Sequence, residues 1–456
     1  MMGAATRERS GRTGRRASGS SRRQRSNEPP APASARPSGS AAPDARTAPA
    51  ATTLRSISRS DRVRPVLRQL VMVEAGLAVA AVGAALGGAW LIPSLAVLCL
   101  LVAIAVVRRR GRALQDWAST ALGLRARRRA AAVPPPGDTE PMLAPVAENV
   151  PGFGPRVYVD RAHRTVGMLG DGTFLTAVVR VQAGGESLRP AFGARSLPLS
   201  LLGDALQVDD ITLESAQLVQ QVRCAPAPHL PQQSVARLSY APLQDRTGAP
   251  ALRMTWVAVK LDPELCREAI EARGGGLEGA QRCLVRAADH VASRITGAGF
   301  HAVVLDQDEL NSAVATSACA NPILSGRAGR PDAAPQRRTT ETSRVWRCDD
   351  RWHTTYAVDR WPELGRGATP LPQLVALLTS VPAHATTFSL TVRRGVRQGS
   401  TRVAGHVRVT GGSDTELVGV RRTLEQAARH AEVGLVRLDR EQLPGVLATL
   451  PLGGAE

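Results

Sequence analysis

The sequence predicts an α/β protein: a transmembrane hairpin of two N-terminal helices, followed by a cytosolic α/β domain with two related strand-helix-strand-helix units. Three observations predict it. A run of 38 residues from Leu70 to Val107 is almost free of charge. Arginines crowd both ends of that run. A pattern of apolar positions after residue 250 returns 133 residues further on.

The apolar run holds a single charge, Glu74. As one helix it would be about 57 Å long, about twice the hydrocarbon core of a bilayer. Two spans fit better, Leu70–Ala89 and Leu91–Val107, broken at Gly87-Gly88-Ala89-Trp90 with Pro93 just beyond. Arg62, Arg64 and Arg68 precede the run and Arg108, Arg109, Arg110 and Arg112 follow it, while the turn has no Lys or Arg. The positive-inside rule then places the N-terminus and the large C-terminal domain in the cytosol, in a multi-pass protein of the cytoplasmic (inner) membrane. The plain alternative is a buried hairpin of a soluble protein. A signal peptide fits poorly behind about 60 preceding residues. Glu74 lies about one turn inside the first span, shallow enough to reach the headgroups or to pair with Arg68 or a neighbouring helix.

Charge is unevenly spread over the 456 residues. The formal net charge is +19, of which residues 1–68 carry +11 and residues 108–133 carry +7, so residues 134–456 are close to neutral. The basic balance belongs to the arm and the membrane flanks, which argues against a specific nucleic-acid-binding domain and for an anionic membrane surface. Residues 1–65 are Arg, Ser, Ala and Pro with few large apolar side chains, the composition of a disordered arm. The six cysteines include no CxxC and no Cys/His pair at ligand spacing, so no metal or cofactor is expected.

After the hairpin, residues 108–130 read as a basic amphipathic helix. Leu114, Trp117, Ala118, Ala121, Leu122 and Leu124 fall on one face, suited to the bilayer surface or to a partner subunit. The anchor and interfacial residues are thus Arg68, Glu74, Trp90, Arg108, Arg109, Arg110 and Trp117. Residues 131–152, with Pro134-Pro135-Pro136, Pro141 and Pro145, read as a proline-stiffened linker.

The globular domain, 153–456, opens with two β-like runs around Gly170-Asp171-Gly172, a hairpin signal that a calcium or phosphate loop would have to extend with further ligands. Pro198–Leu206 reads as a short helix and Ile211–Val222 as a strand. Then the repeat appears. Val257 and Val259 map by a shift of 133 onto Leu390 and Val392. Leu284, Ala287, Val291 and Ile295 map onto Leu417, Val420, Leu424 and Ala428. Val303, Leu305, Asp306 and Leu310 map onto Val436, Leu438, Asp439 and Leu443. Between the units, Ala318–Arg344 reads as a mobile polar loop.

Asp306 with Glu309, and Asp439 with Gln442, have capping-box spacing directly after a strand. The rival reading makes Asp306 and Asp308 a metal-nucleotide site of a membrane-anchored cytosolic transferase. A third makes the basic arm a DNA adaptor. Trp346, Trp352 and Trp361 gather in one strand-like stretch, as core or as partner contacts. The sequence contains no GxSxG, Walker A or HExxH motif and no convincing catalytic set, so no catalytic residue is assigned.

The Arg-flanked hairpin, the RRRGRALQDW…RARRR segment and a neutral α/β domain opening on a GDG hairpin resemble the EccE family of type VII (ESX) secretion subunits of actinobacteria. The resemblance spans roughly residues 60–456. It implies a non-enzymatic structural subunit that assembles with EccB, the EccC ATPase and EccD and supports export of WXG100-type proteins. It carries over no catalytic residues.

Overall fold

The computed structural model describes residues 55–56, 63–106, 108–109, 112–135, 139–183, 196–224, isolated positions between 231 and 242, and then 252–330, 333–362, 370–395 and 400–454. Most of the expected arm therefore lies outside the described residues. Helix α1 (Val63–Leu86) and helix α2 (Leu91–Val106) pack against each other, joined by one 3-10 turn at Gly88–Trp90. Gly87 and Gly88 take positive φ there, +80° and +25°, which glycine adopts without steric cost. The helices approach closely at Gly83, where a Cβ would sit 2.1 Å from Ser94 Oγ.

The break in the apolar run falls where the sequence places it, but among the described residues no helix is long and apolar enough to cross a membrane. The α2 helix has 16 residues, short of the ~20 that a span needs, and α1 opens with Arg64, Pro65 and Arg68. A two-residue ladder, Arg108–Arg109 with Arg112–Ala113, leads into α3 (Leu114–Ala130). On α3, Leu124 is buried whereas Leu122 of the same expected face is exposed.

The rest is built on one large sheet. Strands β1 (Gly154–Pro155), β2 (Leu169–Gly170) and β3 (Leu175–Ala183) open it. Helix α4 (Ser200–Asp204), strands β4 (Ser215–Arg223) and β5 (Leu252–Leu261), helix α5 (Gly276–Gly297), strand β6 (Phe300–Val304) and helix α6 (Gln307–Ser317) complete a first half. After α7 (Pro322–Ala328), strands β7 (Thr339–Glu341), β8 (Trp346–Cys348) and β9 (Arg351–Arg360) open a second. It continues through α8 (Leu371–Thr379), β10 (Ala385–Arg394), β11 (Thr401–Gly411), α9 (Asp414–His430), β12 (Gly434–Arg437) and α10 (Gln442–Leu447).

The strand order is β7-β8-β9-β11-β10-β4-β5-β3-β2-β1, with β6 added beside β3 and β12 beside β9, and every one of these pairings is antiparallel. Each half runs β-α-β-β-α-β with its fourth strand beside its first, the split arrangement of ferredoxin-like units. The halves join edge to edge through β4 and β10, in register from Ser215 opposite Arg393 to Val222 opposite Thr386.

The expected α/β class thus takes the form of a mixed α/β fold dominated by a large antiparallel sheet. The 133-residue shift does carry α5, β6 and α6 onto α9, β12 and α10. It also carries β5 onto β10, and there the topology differs: β5 corresponds to β11, and β4 to β10. The expected strand-helix-strand-helix unit has two strands where each half has four. Both β5 and β10 are fully paired inner strands, and alternation alone does not distinguish neighbouring strands of that kind.

The sheet is covered on both faces. On one, Leu284 and Val291 of α5 and Leu417 and Leu424 of α9 pack on Val257, Val259, Phe388 and Leu390. On the other, α6, α10 and Leu143, Val146 and Phe153 cover Val178, Val219, Trp256 and Ala258. Alternate residues of β5 serve the two faces, as the period of a strand requires. The stretch expected as a linker thus supplies core residues. The expected mobile loop 318–344 contains α7 and β7.

Residues 448–454 cross the middle of the second face as a strap. Gln217 Nε2 and Ser389 Oγ both donate to the Ala448 carbonyl, at 2.9 and 2.8 Å. The Gly453 N–H donates to Gln217 Oε1 at 2.8 Å, and Ser215 Oγ donates to the Gly453 carbonyl at 2.5 Å. Gly453 has φ +86°, and a Cβ there would lie 2.5 Å from Lys260 Cβ.

Candidate functional site

The arginine-rich end of α3 is bolted to the sheet domain. Arg127 donates through Nε and Nη2 to the two carboxylate oxygens of Glu341, at 2.7 and 3.0 Å, a fork-to-fork pair. The same Nη2 reaches the Arg440 carbonyl at 2.6 Å, and Arg128 Nε donates to the Glu341 carbonyl at 3.2 Å. Glu341 Oε1 also accepts from the Leu443 N–H at 3.0 Å, in the first turn of α10. One carboxylate on β7 therefore ties α3, β7 and α10 together.

The same edge is fixed from beneath. Glu148 accepts from the Arg338 N–H at 2.8 Å and from Thr339 Oγ1 at 2.8 Å. Burial pushes the Glu148 carboxyl above its usual range, against the pull of these donors. Arg338 donates to Asp349 through Nε and Nη2, at 2.9 and 2.6 Å, and to the Pro141 carbonyl at 2.8 Å. This pair is nearly inaccessible, with 6% and 1% of the side chains exposed. Burial lowers the Arg338 guanidinium, and the Asp349 hydrogen bonds together with the negative charges of Asp349 and Glu148 reverse it, so the net shift is upward. Asp349 also accepts from the Asn321 N–H at 2.7 Å and sits at φ +52°, in the tight β8–β9 turn.

The predicted anchor residues scatter along the helical part. Glu74 is exposed on α1, and Trp90 is 63% exposed at the hairpin turn. Arg108 and Arg109 form the short ladder before α3, and Arg68 and Trp117 lie on α1 and α3, their side chains outside the described set. Arg110 lies outside the described residues. The three tryptophans separate. Trp346 is buried against His353, with ring centroids 5.1 Å apart. Trp361 is partly buried, edge-on to Phe388 at 6.4 Å. Trp352 is partly exposed, with the Arg347 guanidinium 5.5 Å from its ring centroid.

The acidic motifs are structural. Asp306 accepts from the Glu309 N–H at 2.8 Å and Glu309 reaches back to the Asp306 N–H, so the expected capping box forms on α6. Glu309 further pairs with Arg180 at 3.0 Å. The second expected box does not form. Asp439 is held by Arg437, at 2.5 and 2.9 Å, and Gln442 accepts from the Thr355 N–H. Asp308 is exposed in the first turn of α6. Among the described residues no group of three His, Cys, Asp or Glu side chains is placed to hold a metal ion. Asp171 accepts from the Thr173 N–H and hydroxyl at 2.8 and 2.7 Å, closing the expected hairpin turn.

Sequence reasoning missed Glu341, Arg338 and Asp349. Arg127 and Glu341 are separated by 214 positions, and no local spacing announces such a pair.

A tandem pair of split β-α-β units, clamped to a basic helix that follows a helical hairpin, defines the class: a two-lobed sheet module carried on a helical stem. Residues 249–358 match the model of the EccE family, whose description assigns it provisionally to the translocon of the type VII ESX secretion system. No curated protein matches the sequence. The matched stretch runs from β5 to β9 and so contains Arg338, Glu341 and Asp349. The family is the one that the sequence resembles, yet the hairpin and basic helix that most suggested it lie outside the match.

Proposed function

We propose that the chain is a structural subunit of a type VII secretion membrane complex. In this reading α1 and α2 anchor it in the cytoplasmic membrane, both flanks face the cytosol, and the sheet module docks EccB, the EccC ATPase and EccD during export of WXG100-type proteins. The observation that carries the reading is the family match over 249–358. The α3 clamp supports it. A helix held at its basic end by Arg127 and Glu341 transmits the position of the membrane stem to the docking module without a free linker.

The test is purification of a tagged chain in mild detergent with its co-purifying proteins identified. Recovery with a secretion-type ATPase and the other membrane subunits is the expected result. Recovery of the chain alone, in a strain that makes the other subunits, refutes the assembly. A reporter fused after Glu456 that is active only outside the cytoplasm must stay silent if the topology is right.

A further inference from the structure

Gln221, Thr387, Arg408 and Thr355 stand directly opposite one another on β4, β10, β11 and β9. Directly paired residues share a face, and here it is the face under α6. Arg408 is fully buried, yet no carboxylate among the described residues pairs with it. Its Nη2 donates to the Ser317 carbonyl and to Thr387 Oγ1, while its Nε and Nη1 have no partner. Burial lowers its pKa to about 10, so it is still charged at neutral pH. Gln221 Oε1, Ser317 Oγ and Thr355 Oγ1 around it are also buried without partners. Native interiors rarely leave so many polar groups unsatisfied in one row.

The row is close to a surface. Arg223 lies two residues along β4 from Gln221, on the same face, and its Nε is buried without a partner. Arg223 lines a cleft of about 720 Å³ together with Cys319, Asn321, His384 and Arg351. Gln221 Nε2 donates to Cys319 Sγ at 3.2 Å, so the thiol stands between the cleft and the Arg408 row. Cys319 holds φ +54°, a strained backbone in the turn after α6. The cleft's two acids are Glu140 and Asp350, and Asp350 is already engaged by Arg351 and Asn321.

We propose that Arg223 and Arg408 form an oxyanion-binding site, entered past Cys319, for a ligand bearing a phosphate or carboxylate group. Guanidinium donors suit such groups because their fork matches two acceptor oxygens. The flanking hydroxyls donate to the remaining oxygens. A cleft of this volume takes a small organic anion as readily as an inorganic one.

The test uses the full chain in detergent micelles and reads N-ethylmaleimide modification of Cys319 by peptide mass spectrometry. Inorganic phosphate is titrated at constant ionic strength, with acetate in a parallel arm. Saturable protection of at least five-fold is expected, with the half-effect concentration raised at least ten-fold in Arg223→Gln. Arg408→Lys keeps the charge but loses the fork, and phosphate should raise its melting temperature less than that of the parent. Protection by phosphate but not acetate assigns a phosphoryl ligand, and protection by both assigns oxyanions generally. Phosphatidic acid in mixed micelles separates a lipid phosphate from a soluble one. The proposal is overturned if neither anion protects Cys319 or raises the melting temperature, or if both variants respond as the parent does.

Discussion

Replacing Asp349 by asparagine isolates one charge at the edge where the matched segment meets the stem. Asparagine tolerates the left-handed backbone at φ +52° and preserves the side chain's shape. The substitution removes the negative charge that faces Arg338 Nε and Nη2 at 2.9 and 2.6 Å and turns one of the two acceptor oxygens into a donor. Both partners are almost wholly inaccessible, so water does not replace the lost carboxylate. Removing one member of a buried pair costs about 3–5 kcal/mol, because the other charge stays buried and uncompensated. The unfolding entropy of a domain of about 300 residues is about 0.6 kcal/mol/K. The melting temperature should therefore fall by about 5–8 °C, read by scanning calorimetry or by circular dichroism. Arg338 also donates to two carbonyls, of Pro141 and Asn321, and these hold the guanidinium in place in the variant. A melting temperature within about 1 °C of the parent would show that the pair contributes nothing net, and the account of this edge would fail.

Glu341→Gln should loosen the stem: hydrogen exchange should accelerate at the Leu443 amide and along the end of α3, for a loss of about 1.5–3 kcal/mol in a charge-assisted bond. Unchanged exchange at both places would remove the clamp from the mechanism. Gly405→Ala should cost about 1–3 kcal/mol by overpacking, because its Cβ would meet Trp361 Cζ2 at 2.4 Å; a thermal melt reads it, and an unshifted melt would mean that Trp361 moves freely. Acid should destabilise the fold through two histidines. Burial holds His353 well below its ordinary range and lowers His406 to about 4. The unfolded chain takes up protons at both as pH falls below about 6.5 while the folded chain does not, so stability is full above that pH and is lost toward pH 4. The raised Glu148 carboxyl acts in the opposite sense at the acid end of this range. Melting temperatures measured between pH 7 and pH 5 should fall, and less steeply in His353→Gln; a flat profile contradicts the burial of both rings.

Local features were the legible ones. The Asp306–Glu309 cap, the Gly170-Asp171-Gly172 turn and the repeated helix-strand-helix are set by neighbours within a few residues or by one helical period. Asp439 shows the limit of that logic: it has the cap's spacing, but Arg437, two residues earlier, takes its carboxylate, and α10 begins at Gln442. The pairing of β4 with β10 was not legible, since it joins Gln217 to Thr391 across the chain. Nor were the residues of the stem junction. Arg127 in a run of arginines reads as a membrane flank, and Arg338 in a polar stretch reads as solvated loop. Their roles depend on carboxylates that only the folded chain delivers. Arg408 sits in an alternating strand that otherwise suggests an outward-facing charge, and the α6 turn covers it instead.

The strap at 448–454 sets a timetable for synthesis. Ser215 and Gln217 on β4 leave the ribosome roughly 230 residues before the carbonyls and amide that satisfy them. At about 5–20 residues per second that is a delay of about 10–50 s. During it, the seam between the two lobes is open and its polar groups face solvent or whatever else binds there. A nascent chain stalled before Ala448 would thus present the two β-sheet halves with their shared seam unsealed, a species for which a holding chaperone has an evident use.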